Sequence, residues 1–232
     1  MPWATSAYVP SEKVLEMLAC LHDFDLGLQA SAGSSAIYEV TMWTHLALPS
    51  IRLKNVGWAM LDKMIKLIVL DADGTIWSHH DASALVAPFE IVSCDVIQDK
   101  YHSTVRLNDG IREFLNYVRE NGILLSLASW NEPENVFSLL SLFGIDGFFV
   151  FPVVEPHPNK HVMLQKIVLG LSQRGVKVLP EEILYIDDRD VHLEEIRSSV
   201  GNVKFLRYGV DVENWYDALD KVKCVIVRRR SL

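Results

Sequence analysis

From Met64 onward, apolar runs alternate with amphipathic segments, and each change of period predicts a change of element. Residues 65–71 ("IKLIVLD") read as a strand, and residues 109–121 as a helix with Ile111, Phe114, Leu115 and Val118 on one face. Residues 122–129 ("GILLSLAS") predict a second strand. Residues 131–144 predict a helix in which Asn131 and Glu134 have capping-box spacing, Pro133 sits in the first turn and Gly144 ends it. Strands over 147–154, 182–188 and 203–209 then alternate with helices over 159–171, 191–199 and about 212–219.

Strands that read as unbroken Ile, Leu and Val are buried on both faces, as in a parallel sheet covered by crossover helices. The alternation therefore predicts an α/β fold with a doubly wound, Rossmann-like parallel sheet. Such sheets bind ligands beyond the carboxyl ends of their strands. The polar residues gather there: Asp71 and Asp73 after one strand, Ser129 after another, Asp187 and Asp188 after a third.

Before Met64 the pattern is weaker. Residues 11–21 offer a helix with Ser11 as N-cap, residues 31–35 ("SAGSS") a flexible break, and residues 36–48 either a strand or a helix. The chain thus divides into an N-terminal extension, 1–63, and a regular α/β domain, 64–232, with an insertion at about 76–107. That insertion is too short for a large helical cap, while residues 89–107 suit a β-hairpin flap. A chain starting at Met64 is expected to fold and keep activity; a soluble but inactive shortened protein would contradict this division.

Composition narrows the classes. Half of the 232 residues are hydrophobic, enough for a packed core. A formal net charge of −8 argues against a sequence-independent grip on nucleic acid, which needs clustered Lys and Arg. The only compact basic run, Val227 to Arg230, reads as a solvated tail. Cys20, Cys94 and Cys224 form neither a metal-binding spacing nor a disulfide framework. With no signal-peptide pattern and no apolar stretch fit to span a membrane, a cytoplasmic protein is expected.

The stretch "LDADGT" brings in the chemistry. One aspartate at a strand end can cap a turn, but Asp71 and Asp73 together, with Asp187 and Asp188 on another strand end, would repel one another. A divalent cation relieves that repulsion, and Mg2+ suits oxygen ligands completed by water and a substrate phosphate. Gly74 allows a sharp turn, and Thr75 supplies a hydroxyl to fix it. Ser129 precedes a helix whose first N–H groups form an anion site, and Lys160 opens another helix. His79, His80, His157 and His161 read as surface or turn residues, because Mg2+ prefers oxygen.

With these residues in order, residues 64–219 resemble the haloacid dehalogenase (HAD) superfamily, and its phosphatase branch in particular. "LDADGT" is similar to its first motif, "LASWN" to its second, Lys160 to its third-motif lysine and "YIDDRDVH" to its acidic fourth. The Trp in "TIW" and the short insertion are closest to the capless magnesium-dependent phosphatases, although those often carry Tyr or Asn at the position of Gly74. His192 stands where many relatives have another aspartate. The acyl-carrier-loading HAD domains share part of the same pattern.

The resemblance implies a HAD-like core and an Mg2+-dependent phosphomonoester hydrolase. Asp71 would attack phosphorus to form an aspartyl-phosphate, and Asp73 would act as general acid and base. Mg2+ would be held by Asp71, the Asp73 carbonyl and Asp188, with Asp187 supporting. Ser129, the N–H groups of Trp130 and Asn131, and Lys160 would hold phosphate oxygens. Trp77 and Trp130 would either line the mouth or pack in the core. An open site accepts a phosphorylated small molecule or a phosphoprotein. An acyl or phosphoryl transferase acting on a carrier, and a non-catalytic phospho-ligand binding module, are the alternatives.

Overall fold

The computed structural model describes residues 65–230, with side chains described as far as Cys224. The helix expected over 11–21, the break over 31–35 and the choice over 36–48 fall outside the described residues.

In chain order the elements are β1 (Leu67–Leu70), the insertion strands β2 (Glu90–Ser93), β3 (Val96–Gln98) and β4 (Thr104–Arg106), then α1 (Ile111–Glu120) and β5 (Leu124–Trp130). There follow α2 (Pro133–Leu142), β6 (Val153–Glu155), α3 (Lys160–Gln173), β7 (Ile183–Asp187), α4 (Leu193–Ser199), β8 (Lys204–Arg207) and α5 (Trp215–Arg230). The main sheet runs β6-β5-β1-β7-β8 with every neighbouring pair parallel.

All four residues of β1 are buried, as its run of branched aliphatics requires. Leu70 is in register with Leu127 of β5 and Ile186 of β7, so the chain leaves β1 between the exits of its two neighbours. Beyond β1 the connections run outward in opposite directions, which makes this a topological switch point.

On one face, Leu67, Val69 and Tyr185 pack with Met163, Leu164 and Ile167 of α3 and Ile196 of α4. On the other, α1 packs on β5 and α5, with the Phe114 and Trp215 ring centroids 4.6 Å apart. The face buried by α1 is the expected Ile111, Phe114, Leu115 and Val118.

Three elements differ from expectation. The strand over 147–154 shrinks to Val153–Glu155 behind a 3-10 turn at Asp146–Phe148. Phe151 adopts φ 53° and Pro152 lacks an N–H, so the ladder with β5 cannot run unbroken. The flap is a three-stranded antiparallel sheet, β2-β3-β4, rather than a hairpin alone. The last helix runs on to Arg230, so the backbone of the basic run is helical and not a tail.

Phe114→Ala is expected to destabilise the protein by about 3–5 kcal/mol, since it empties a packed aromatic site. Urea unfolding measures this, and a loss below about 1 kcal/mol would mean that α1 and α5 do not share a tight core.

Candidate active site

Asp71 begins the turn that follows β1, and Lys160 is the first residue of α3. A cation at a helix N-terminus opposes the helix dipole, and a fully buried ammonium needs partners. Lys160 finds them at the sheet edge: Nζ donates to Asp71 Oδ1 and, at 2.6 Å, to the Ala128 carbonyl, and lies 3.8 Å from Asp187 Oδ2. Asp71 Oδ2 is buried and unpartnered. Burial pushes the Asp71 carboxyl up to about 7, against the downward pull of Lys160 and with a further upward push from Asp187.

The Asp73 carboxylate is held by three N–H donors. Oδ1 accepts from Trp77 Nε1 at 2.7 Å; Oδ2 accepts from the Ala82 N–H at 2.9 Å and from Asn131 Nδ2 at 2.8 Å. A carboxylate offers about four lone-pair sites, so one remains, on Oδ1.

At the end of β7 the two adjacent aspartates have different surroundings. Asp187 accepts from the Tyr185 hydroxyl and, at 2.8 Å, from the Arg189 N–H. Burial and the nearby carboxylates raise Tyr185 well above the ordinary tyrosine range, which keeps it a neutral donor. Asp188 Oδ1 is buried without a hydrogen-bond partner, 3.7 Å from Arg189 Nε, and burial and Asp187 push this carboxyl upward.

Thr75 ties the first loop to the fourth: its Oγ1 accepts the Asp188 N–H at 3.0 Å. Gly74 has φ 68°, and a Cβ there would stand 2.7 Å from Asp188 Oδ2. A bare backbone lets Asp188 come this close. Oxygen atoms of Asp71, Asp187 and Asp188 lie within 4.8 Å of one another. An all-carboxylate set with unpartnered buried oxygens on Asp71 and Asp188 fits a hard divalent cation such as Mg2+. His192 has a buried, unpartnered Nε2 and is held below the usual histidine range by burial and by Lys160.

The strand ends and the start of α3 thus bring Asp71, Asp73, Ser129, Lys160, Asp187 and Asp188 together. Two readings change, both at Asn131, and the open choice for the two tryptophans is resolved. The Asn131 N–H donates to the Glu155 carbonyl at 3.0 Å, and that of Glu132 to Ser83 Oγ at 3.0 Å, so neither is free for phosphate. Asn131 makes no cap either: the N-cap of α2 is Glu132, without a side-chain bond, because the Asn131 amide is spent on Asp73 and on Ser129 Oγ, at 3.0 Å. Trp77 is fully buried and holds Asp73, while Trp130, 44% exposed, stands at the surface beside Ser129.

Tyr185 and Ser83 were not singled out from the sequence. Tyr185 sits in an apolar strand and Ser83 in a polar insertion, where each looks ordinary.

The acid phosphatase family pattern matches residues 63–224, which run from β1 into α5 and include every site residue described above. The chain belongs to the acid phosphatase family. It is a HAD-superfamily phosphatase, and the matched residues include its main sheet and its strand-end carboxylates. No curated relative matches. Among solved structures it is similar to a HAD-superfamily hydrolase from Ehrlichia chaffeensis, at 13% identity over 71% of this chain and 98% of that one, TM-score 0.49. It is also similar to the N-terminal, phosphatase-containing part of a Bacteroides fragilis protein complexed with Mg, at 17% identity and TM-score 0.47; 74% of this chain aligns but only 42% of that one. A third is the 3-deoxy-D-manno-octulosonate 8-phosphate phosphatase of Moraxella catarrhalis, in complex with magnesium, phosphate and KDO, at 14% identity over 73% and 90% of the two chains, TM-score 0.42. Among the described residues no helix is long and apolar enough to cross a membrane.

The raised Asp71 sets a pH dependence. The folded protein keeps a proton up to about 7 that the unfolded chain releases near 3.8, so this contribution to stability is complete at low pH and lost as pH rises through that window. His192 acts in the opposite sense, so the reference is Asp71→Asn, which retains His192. Relative to Asp71→Asn in EDTA, wild-type Tm is expected to fall between about pH 4 and about pH 7. Mg2+ should raise the wild-type Tm at about pH 8 and much less at about pH 5, where a proton competes for Asp71. Parallel melting curves for the two proteins would refute the assignment.

Proposed function

We propose that this acid phosphatase family member is an Mg2+-dependent phosphomonoester hydrolase that works through an aspartyl-phosphate on Asp71. The observation that carries the reading is the fully buried Lys160, which donates to Asp71 beside an unpartnered Asp71 Oδ2. No packing requirement explains a buried ammonium among carboxylates at a strand end.

The Asp71 carboxylate attacks phosphorus in line as the P–O bond to the leaving group breaks, and Asp73 gives its Oδ1 proton to the departing oxygen. Asp73 then takes a proton from water, whose oxygen attacks the aspartyl-phosphate; phosphate leaves and Asp71 is restored. Lys160 offsets the negative charge shared by Asp71 and the phosphoryl group, and Ser129 donates its hydroxyl to a phosphate oxygen. Mg2+, held by Asp71, the Asp73 carbonyl and Asp188, would offset the charge on the transferring phosphoryl group. Asp187, already engaged by Tyr185 and Arg189, supports Lys160 and Asp188.

The small three-stranded insertion supports the capless, magnesium-dependent branch and an open mouth with Trp130 at its edge. Such a mouth suits a phosphorylated small molecule or a phosphoprotein.

The test is hydrolysis of para-nitrophenyl phosphate by wild type and Asp71→Asn, each with Mg2+ and with EDTA. Wild type should turn over only with Mg2+, and Asp71→Asn should lose a factor on the order of 1,000 or more in kcat. A folded, Mg2+-loaded wild type without turnover, or an Asp71→Asn variant that keeps it, would end the hydrolase reading.

A further inference from the structure

The insertion carries a one-turn 3-10 helix, Ala82–Ala84, that touches both walls of the site. Its Ala82 N–H donates to Asp73 Oδ2 at 2.9 Å, and its Ser83 hydroxyl meets α2. Asn135 Nδ2 fastens the turn by donating to the carbonyls of Ala82, at 2.9 Å, and Leu85, at 3.0 Å. Asp81 holds it from its own side by accepting the Ser83 N–H at 3.0 Å.

The direction of each hydrogen bond follows from donor and acceptor chemistry. The carboxylate of Asp73 only accepts, so the Asn131 atom 2.8 Å from it is the amide nitrogen. Asn131 Oδ1 therefore faces Ser83, 2.8 Å away, and takes its one hydroxyl proton. Ser83 Oγ in turn accepts the Glu132 N–H. The second proton of the Asn131 amide goes to Ser129 Oγ at 3.0 Å. Ser129 thus accepts from inside the protein, and its own proton is free to point outward.

We infer that Ser83, outside every motif, is a positioning residue that acts through Asn131 to orient both the general acid Asp73 and the phosphate donor Ser129. The inference rests on the proposed hydrolase chemistry and deepens it. Turned the other way, the amide would set its oxygen against Asp73 and accept the Ser129 proton, removing a donor from the phosphate. The Ser83 hydroxyl opposes that turn by satisfying Oδ1 where it stands. The chain Glu132–Ser83–Asn131–Ser129 is polarised in one direction throughout.

The test compares wild type, Ser83→Ala and Ser83→Thr on two esters and in binding inorganic phosphate with Mg2+ by calorimetry. Phenyl phosphate has a poor leaving group and needs the general acid; para-nitrophenyl phosphate has a good one and needs it less. Ser83→Ala should lose about tenfold in kcat on phenyl phosphate but only about two- to threefold on the nitrophenyl ester. Its phosphate Kd should rise about five- to tenfold, the loss of roughly one hydrogen bond. Ser83→Thr, which keeps the hydroxyl, should restore the ester ratio and the phosphate affinity. Should Ser83→Ala fail to fold, Ser83→Cys, a weaker donor, reads the same two quantities.

An unchanged ester ratio with unchanged phosphate affinity overturns the inference. So does a Ser83→Thr protein as impaired as Ser83→Ala. If wild type turns over neither ester, the hydrolase reading fails by itself, and Ser83 is judged on phosphate alone: equal affinity in wild type and Ser83→Ala overturns its role, and weaker binding rescued by Thr upholds it.

Discussion

One buried ammonium among carboxylates, at the exit of the central strand, is the constraint around which the site is arranged. Lys160 cannot keep its charge inside the fold without Asp71, the Ala128 carbonyl and the nearby Asp187. Nor can Asp71, Asp187 and Asp188 converge on one another without Lys160. The balance stays negative even so, and burial holds a proton on Asp71 up to about 7. A divalent cation has a reason to bind where protein charge alone does not close the balance.

The sheet supplies that convergence. Because β1 lies between β5 and β7 in matched register, three chain segments emerge side by side, and α3 brings Lys160 back over them. Thr75 and Gly74 then join the first and fourth loops through contacts that bridge more than a hundred residues of sequence. Asn131 stands one residue before Glu132, the N-cap of α2, and its amide serves Asp73 and Ser129.

Much of this was legible in the residues. The apolar period of α1 named its buried face residue by residue, since a 3.6-residue repeat leaves one solution for a helix lying on a sheet. Asp71, Asp73, Ser129, Asp187 and Asp188 stood out because charges and hydroxyls at the ends of buried strands have few structural reasons to be there, whereas Lys160, at a helix start, stood out through its place among the motifs of the resemblance. Asn131 was read by local pattern as a cap, and its long-range partner Asp73 overruled that; Trp77, left open between mouth and core, is decided for the core by burial, with its Nε1 on Asp73. The 147–154 strand failed for a local reason: Phe151 turns left-handed before Pro152.

By itself, then, the sequence determined the α/β alternation, the buried faces and the set of chemical groups, because periodicity and residue type act over a few positions. Tertiary structure alone decided what each group does. Which oxygen of Asp73 keeps a free lone pair, which of two adjacent aspartates is already engaged, and which way the Ser129 proton points all depend on donors supplied by distant segments: Trp77 and Ala82, Tyr185, and Ser83 through Asn131. A hydrogen bond has direction and a range of about 3 Å, and no pattern along the chain encodes which distant atoms will come within it.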